Sequence, residues 1–259
     1  MFLAFYKFHV LEVHMKIKKC ISQETLKLIA MIAMFIQYGS FLFPPFSMGG
    51  PFDKNVQIPI YQIVGKLAFP IYAFLLVEGF HHTKDRKRYA LRLLLVALLS
   101  ELPFDLRVTL QWYWGNNNVI FTLLFGLLAL CVMDWKGKWY WKLAGVLTLA
   151  ALAKLLRFEY GAWGVFLILL YEVTYTLPYK QLIRLVGMTL IFTLMGSSGG
   201  IYIWNRWFNI QYFGLLALVP ISLYSGKKWT YSKTVQWAFY LFYPLHLLVL
   251  YFLVMATTP

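Results

Sequence analysis

The sequence is poor in charged residues and in cysteine. Only 13% of its 259 residues are Asp, Glu, Lys or Arg, and 61% are hydrophobic, whereas about a quarter of an average soluble domain is charged. Its two cysteines lie far apart, Cys20 in a Lys-rich leader and Cys131 in an apolar run. These shortages exclude an ordinary soluble domain and a disulfide framework, and they indicate one unit embedded in a membrane.

Motifs of several large enzyme classes are also missing from the sequence. It contains no P-loop, no HExxH and no CxxC motif. The five residues Gly196 to Gly200, GSSGG, fit the letters of GxSxG, but a flexible turn between two spans explains them equally well. His81, His82 and Asp85 are close in sequence, but neighbouring helix positions diverge by about 100° and no third convergent ligand is evident. We therefore expect no metal site.

Acidic residues are scarce beside basic ones, at 10 against 24, which gives a net charge of +14. A basic balance can indicate nucleic-acid binding, but here the cations fall in short loops between apolar runs, as the positive-inside rule describes. The expected partner is therefore membrane lipid and not nucleic acid.

Apolar runs of near membrane length, bounded by Pro, Gly or charged clusters, divide the chain into nine segments. They predict an all-α membrane protein, a polytopic bundle of about nine transmembrane helices, although eight or ten spans also fit. The segments are Leu26 to Phe43, Ile60 to Phe80, Tyr89 to Leu106, Val119 to Met133, Trp139 to Leu156, Ala162 to Thr176, Leu182 to Met195, Gln211 to Tyr224 and Val235 to Met255.

The cations alternate between the two sides of this predicted bundle. If the amino terminus is cytoplasmic, most Lys and Arg lie inside, and the outer side keeps only Lys54, Lys66, Arg107, Lys154, Arg157 and Arg206. Residues 1–24 then form a cytoplasmic leader without the features of a signal peptide, followed by a transmembrane domain over residues 25–259. Met15 looks like a natural start, which would make residues 1–14 a start-site artefact.

The stretch from Leu67 to Leu106 concentrates the unusual chemistry. Glu78 and His82 are four residues apart and share a helix face near the cytoplasmic end of the second span. Ionisable residues at such positions are usually kept for function. The basic loop that follows, with Arg86, Arg88 and then Arg92, suits phosphate oxygens. A plain topology signal facing anionic lipid explains the loop equally well.

Two further sites in the sequence combine ionisable residues with proline. Glu101 and Asp105 flank Pro103, which we expect to kink or end the third span; the carboxylates could orient or deprotonate a cationic acceptor, or pair with Arg107 and Lys66. His246 stands near mid-membrane, two residues after Pro244. A neutral imidazole there could act as a general base, although a lone buried histidine is more often a packing residue.

Several blocks of the sequence together resemble one family. The chain is similar to the TraX family of polytopic bacterial membrane proteins in five blocks. They are FPIYAFLLVEGFHHTKDRKRYALRLLLVALLSELPFDL, LKLIAMIAMFI, NNVIFTLLFGLLAL, EYGAWGVFLILL and WAFYLFYPLHLLVLY. The family is named for a member that acetylates the amino terminus of pilin. The resemblance implies an acetyltransferase in the bacterial inner membrane with acetyl-CoA as cosubstrate.

The resemblance also suggests roles for individual residues. Arg86, Arg88 and Arg92 would bind the cofactor phosphates, and His246 or His82 would be the base. Glu101 and Asp105 would orient the acceptor, a membrane-presented peptide, pilin-like subunit or glycan. For these roles the side chains must meet in one water-accessible chamber that opens toward the cytosol.

The sequence departs from the family pattern at three positions. TraX-like sequences usually have an Asp-His pair where this chain has Gln37 and Tyr38, neither of which takes up a proton at neutral pH. Glu159 stands where the family commonly has Asp, and this change keeps the charge. A protein that has lost catalysis and acts as a binding, immunity or assembly partner is therefore the alternative, and a small transporter is a third possibility.

Overall fold

The chain folds into a bundle of helices with one short β-hairpin. The computed structural model describes residues 19–39, 60–109, 116–196, 200–203, 206–229 and 233–257; most of the predicted leader lies outside these residues. The elements are α1 (Gln23–Gly39), α2 (Ile60–Gly65), α3 (Ala68–His82), α4 (Arg86–Thr109), α5 (Val119–Asp134), α6 (Trp139–Leu155), α7 (Gly161–Val173), α8 (Lys180–Met195), β1 (Gly200–Ile203), β2 (Arg206–Asn209), a 3₁₀ helix (Ile210–Ala217), α9 (Leu218–Ser222) and α10 (Lys233–Thr257).

The helical prediction is confirmed, and each apolar run corresponds to helical structure. Two predicted runs are each divided in two. Ile60 to Phe80 is interrupted by a turn at Lys66 and Leu67, next to Gly65, and Gln211 to Tyr224 becomes the 3₁₀ helix followed by α9. The antiparallel β1–β2 hairpin was not predicted.

Within the described residues, length and apolar composition single out two stretches as able to cross a membrane, Gln62–His82 and Thr234–Leu253. Other apolar helices are shorter, among them α5 and α7.

The described loops gather at two ends of the bundle. At what we call the basic end, Cys20 N–H donates to the Leu223 carbonyl at 3.0 Å, Arg86 contacts Asp134, and His81 contacts Glu172. These contacts join the segment 19–24 to 223–229, and the segment 81–86 to 134 and 172. The hydrogen bond of Tyr224 to Glu78, one turn before His82, links the two groups, and the charge pattern assigned the neighbouring loops to the cytoplasmic side. At the opposite end, the segment 116–118 pairs with 157–159.

Helix α3 runs through the centre of the bundle. Ile71, Ala73 and Val77 are fully buried, and α3 contacts α1, α5, α7 and the 3₁₀ helix. The outer faces of the surrounding helices are apolar instead of polar: large side chains on α1, α4, α6, α8 and α10 are more than half exposed, among them Ile32, Leu98, Leu155, Val186 and Phe252. An apolar surface of this extent indicates contact with protein or membrane.

The crossing of α7 with α3 and α5 depends on a glycine. A Cβ atom at Gly164 would lie 2.5 Å from Thr122 Cγ2 and 2.8 Å from Phe69 Cζ. We expect Gly164→Val to lower the free energy of unfolding by about 1–3 kcal/mol because packed helices would have to separate. Unfolding midpoints in denaturing detergent measure this, with Ala144→Val on the exposed face of α6 as the control. Equal midpoints for the two variants would contradict the close crossing.

Candidate functional site

A long cleft with a cavity volume of about 160 Å³ lies between α1, α3, α4, α5 and α10. It extends along α1 from Lys27 at the basic end to Tyr38 toward the opposite end, a distance of about 16 Å at 1.5 Å per residue. Most of its wall is apolar or aromatic, with Met31, Met34 and Tyr72 as examples. A cleft of this shape suits a thin, extended ligand.

Tyr38 and Glu159 form the polar part of the cleft at the end away from Lys27. The Tyr38 hydroxyl donates to Glu159 Oε2 at 3.4 Å, and both side chains line the cleft together with Gln37. Lys66, in the break between α2 and α3, lies within electrostatic reach of Glu159. A phenol, an amide, a carboxylate and a nearby ammonium group therefore meet there.

The backbone around Glu159 is held in an unusual conformation. Arg157 and Tyr160 have φ angles of 53° and 64°, a left-handed region that costs non-glycine residues about 1–3 kcal/mol. Glu159 N–H donates to the Asn117 carbonyl at 2.9 Å, and the Thr122 hydroxyl donates to the Glu159 carbonyl. Backbone strain of this kind clusters at functional sites, so it supports a functional role for Glu159.

His246 lies directly behind the wall of the cleft. It is 4% exposed, and its ring centroid is 5.6 Å from that of Tyr38 and 4.8 Å from that of Phe242. Its Nδ1 is 2.8 Å from the Phe242 carbonyl oxygen, which can only accept, so in the neutral ring Nδ1 carries the proton and Nε2 the lone pair. His246 is not itself among the residues that line the cleft.

Glu101 and Asp105 lie on α4 outside the lining of the cleft. Glu101 accepts hydrogen bonds from the Asn118 side chain and backbone, and Asn118 in turn caps α5 by accepting from Ile120 N–H. Glu101 thus fastens α4 to the start of α5, and Asp105 is buried one turn further on. Pro103 lies inside α4, which continues to Thr109. Of the two predicted effects of Pro103, a kink or an end of the helix, the second is wrong.

Glu78 and His82 do share one face of α3, at the basic end. His82 Nδ1 is 2.7 Å from the Glu78 carbonyl oxygen and 3.9 Å from its Oε2, while Tyr224 OH donates to that Oε2 at 3.4 Å. The His82 side chain is 69% exposed. Neither residue lines the cleft.

The three arginines predicted to bind cofactor phosphates point in different directions. Arg86 contacts Asp134 and packs over the Phe80 ring; its charge and hydrogen bond hold the pKa of the Asp134 carboxyl below its usual range. Arg88 pairs with Asp85 at 2.9 Å and is exposed.

Arg92 is the arginine nearest the cleft. Its guanidinium lies 5.7 Å from the Tyr89 ring and 5.9 Å from the Tyr240 ring, and both tyrosines line the cleft near Lys27. Arg92 and Lys27 therefore place positive charge at the basic end of the cleft.

The structure does not bring the predicted site residues into one chamber. His246, Glu101 and Asp105 lie toward the opposite end, whereas His82, Arg86 and Arg88 lie at the basic end, and Arg92 lies beside the basic end of the cleft. The expectation that His82, Arg92, Glu101 and His246 line a common cavity is therefore wrong. Among the described residues, no group of three His, Cys, Asp or Glu side chains is arranged to hold a metal ion.

In the sequence, Tyr38 and Glu159 stand out only as departures from the family pattern. They are 121 residues apart, so spacing could not reveal their contact. The hint in the sequence is that Gln37, Tyr38 and Glu159 are the three departures from the family pattern, and all three line the cleft.

Comparison with known proteins agrees with the resemblance in sequence. The profile of the TraX protein family matches residues 22–254. The "Probable fimbrial assembly protein FimC, serogroup H1" of Dichelobacter nodosus is 28% identical over 243 residues, covering 87% of this chain and 92% of that protein. No solved structure matches the chain significantly. The protein belongs to the TraX family.

Proposed function

We propose that this chain is a multi-pass inner-membrane protein of pilus assembly that transfers an acetyl group from cytosolic acetyl-CoA to an amino or hydroxyl group of a membrane-presented acceptor. The family and the fimbrial assembly relative support the pilus context. The apolar outer faces of the bundle support a membrane location. Nine spans with the basic end in the cytoplasm agree with the distribution of Lys and Arg.

The reaction requires a base and a place for the donor. An acceptor amine attacks the thioester carbonyl carbon, the C–N bond forms and the C–S bond breaks. The amine proton passes to a base and then to the departing thiolate, which leaves as the thiol of coenzyme A. We assign Glu159 as the base in contact with the substrates, because it lines the cleft.

The neighbours of Glu159 then act as positioning residues. The single O–H of Tyr38 donates to Glu159 in the structure. Once Glu159 has taken up the proton of the acceptor, this O–H can turn to the thioester oxygen and donate to it as negative charge develops there. His246 fixes the Tyr38 ring from behind, and Glu101 supports the corner of α4 and α5. Arg92 and Lys27 would attract the donor phosphates at the basic end, with the exposed Arg88 contributing a longer-range field.

The observation that carries this proposal is the meeting of Tyr38, Glu159 and His246 from three separate segments at one end of a cleft whose other end is cationic. The test uses the purified full chain in nanodiscs with acetyl-labelled acetyl-CoA and a membrane fraction that contains pilus subunits. We expect label on an acceptor and release of coenzyme A. If no acceptor is labelled and the chain binds no coenzyme A, the proposed acetyltransferase activity is refuted.

A non-catalytic assembly partner is the second candidate, and the specific observation in its favour is Gln37 and Tyr38 in place of the Asp-His pair. The double substitution Gln37→Asp and Tyr38→His separates the two functions. Activity that appears only in the double variant would identify the natural chain as the non-catalytic partner. Activity in the natural chain that is lost in His246→Ala supports the enzyme.

A further inference from the structure

A second polar cluster lies on the side of α3 away from the cleft, around Arg184 of α8. Arg184 is only 2% exposed. Its guanidinium carbon lies 5.1 Å from the Tyr171 ring and 5.4 Å from the Phe74 ring. A buried guanidinium is costly unless its charge and its N–H groups are matched.

The hydrogen bonds of Arg184 are incomplete. Nε donates to Thr174 Oγ1 at 2.9 Å, but within the part of the chain that the structure describes, Nη1 and Nη2 donate to no acceptor. Arginine has five N–H groups, so four of them are left for another partner. Neither Nη atom is among the fully buried side-chain atoms that lack a partner in the described residues, so both reach space that water or a ligand can enter.

Further positive charge surrounds the same place. Lys180, the first residue of α8, donates to the Tyr175 carbonyl at 3.5 Å and lies within electrostatic reach of both Arg184 and Lys19. The 16-residue helix α8 begins there after Tyr179, whose side chain does not cap it. Its amino end adds partial positive charge and free N–H groups.

The cluster includes one nearby carboxylate. Glu78 lies within electrostatic reach of Arg184 and Lys180 but forms no direct ion pair with either, and it accepts from Tyr224 OH. Glu172 is engaged with His81 at 2.9 Å. Three cations and a helix amino end therefore face one carboxylate, which leaves an excess of positive charge at the basic end.

We propose that Lys19, Lys180, Arg184 and the amino end of α8 form a phosphate-binding site, distinct from the cleft, that opens at the basic end. Phosphate oxygens suit this place because they accept several charge-assisted hydrogen bonds at once, and Arg184 offers them in a fixed planar arrangement. The ligand class is a phosphate group, carried either by a soluble molecule or by a lipid headgroup. The site does not depend on acyl transfer.

The test measures thermal unfolding of the purified full chain in nanodiscs. In one arm, inorganic phosphate and pyrophosphate are titrated into phosphatidylcholine nanodiscs against sodium chloride at equal ionic strength. In the other, phosphatidylglycerol replaces part of the phosphatidylcholine. We expect a saturable rise in unfolding temperature in at least one arm, because a ligand that binds only the folded state stabilises it. A response to soluble phosphate identifies a soluble ligand, and a response only to phosphatidylglycerol identifies a lipid.

Two variants and a control make the assignment specific. Arg184→Met and Lys180→Met should weaken the apparent affinity about tenfold or more, since each removes charge-assisted hydrogen bonds. Lys136→Met removes one exposed charge at the same end but outside the cluster and should respond as the natural chain does. If Arg184→Met does not fold, Lys180→Met decides. No saturable response in either arm, or an unchanged affinity in Lys180→Met, overturns the proposal.

Discussion

Glu159→Gln should lower the rate of acetyl transfer by about 10²–10⁴-fold, the usual contribution of a general base. The amide keeps the size of the carboxylate and can still accept a hydrogen bond from Tyr38, but it cannot take the proton of an attacking amine. The loss should therefore fall on kcat, with KM for acetyl-CoA little changed. Steady-state kinetics of the purified chain in nanodiscs, with labelled acetyl-CoA, separate the two constants.

Glu172→Gln is the matched control, because it makes the same change at the basic end, where Glu172 contacts His81. We expect it to keep the natural rate. Tyr38→Phe should give a smaller loss than Glu159→Gln, since it removes a hydrogen-bond donor and leaves the base. If Glu159→Gln transfers acetyl at the natural rate while His246→Gln does not, the base is His246 and the assignment of Glu159 is wrong.

Much of the fold follows from sequence pattern because each helix here is an apolar run with a polar boundary. The run predicted at Val119 to Met133 corresponds to α5, Val119–Asp134, and Asn118 at its start supplies the capping side chain. The sequence pattern did not predict the breaks inside two of the apolar runs. Gly65 packs so closely against Gln37 that a Cβ there would lie 2.2 Å from Gln37 Oε1, and this contact between helices is invisible in local composition.

The candidate site was less predictable than the fold. Contacts between residues four positions apart in one helix could be predicted, as for Glu78 and His82, because helix geometry alone fixes them. Contacts between side chains of different helices could not be predicted in this way. The side chains of Glu101 and His246 point to different local partners, Asn118 and the Phe242 carbonyl, and only the packing of the bundle decides which polar groups face the cleft.

The loop from residue 156 to 160 illustrates the same limit. The residues around Glu159 do not indicate that Arg157 and Tyr160 adopt left-handed backbone conformations. Such conformations are usually adopted by glycine. The conformation is imposed by pairing with Asn117 and by the contact of Thr122. A strained position of this kind arises from the tertiary structure, so in the sequence Glu159 stands out only as a departure from the family pattern.

Met31→Trp should block the cleft and reduce acetyl transfer by about a hundredfold, because the donor arm would no longer bring its thioester to Tyr38 and Glu159. Met31 lines the cleft between Lys27 and Tyr38, and indole is much larger than a flexible thioether chain. Binding of labelled coenzyme A to the purified chain should weaken in parallel, which distinguishes a blocked cleft from a damaged base.

The control is Ile32→Trp, the same new side chain one residue along α1 on a face that is 58% exposed. It should bind coenzyme A and transfer acetyl as the natural chain does, and thermal unfolding of both variants reports whether the bundle is intact. A Met31→Trp variant that folds and keeps natural binding and transfer would show that the donor reaches the acceptor by another route. In that case the alignment of Lys27, Tyr38 and Glu159 along one cleft would have no part in the reaction.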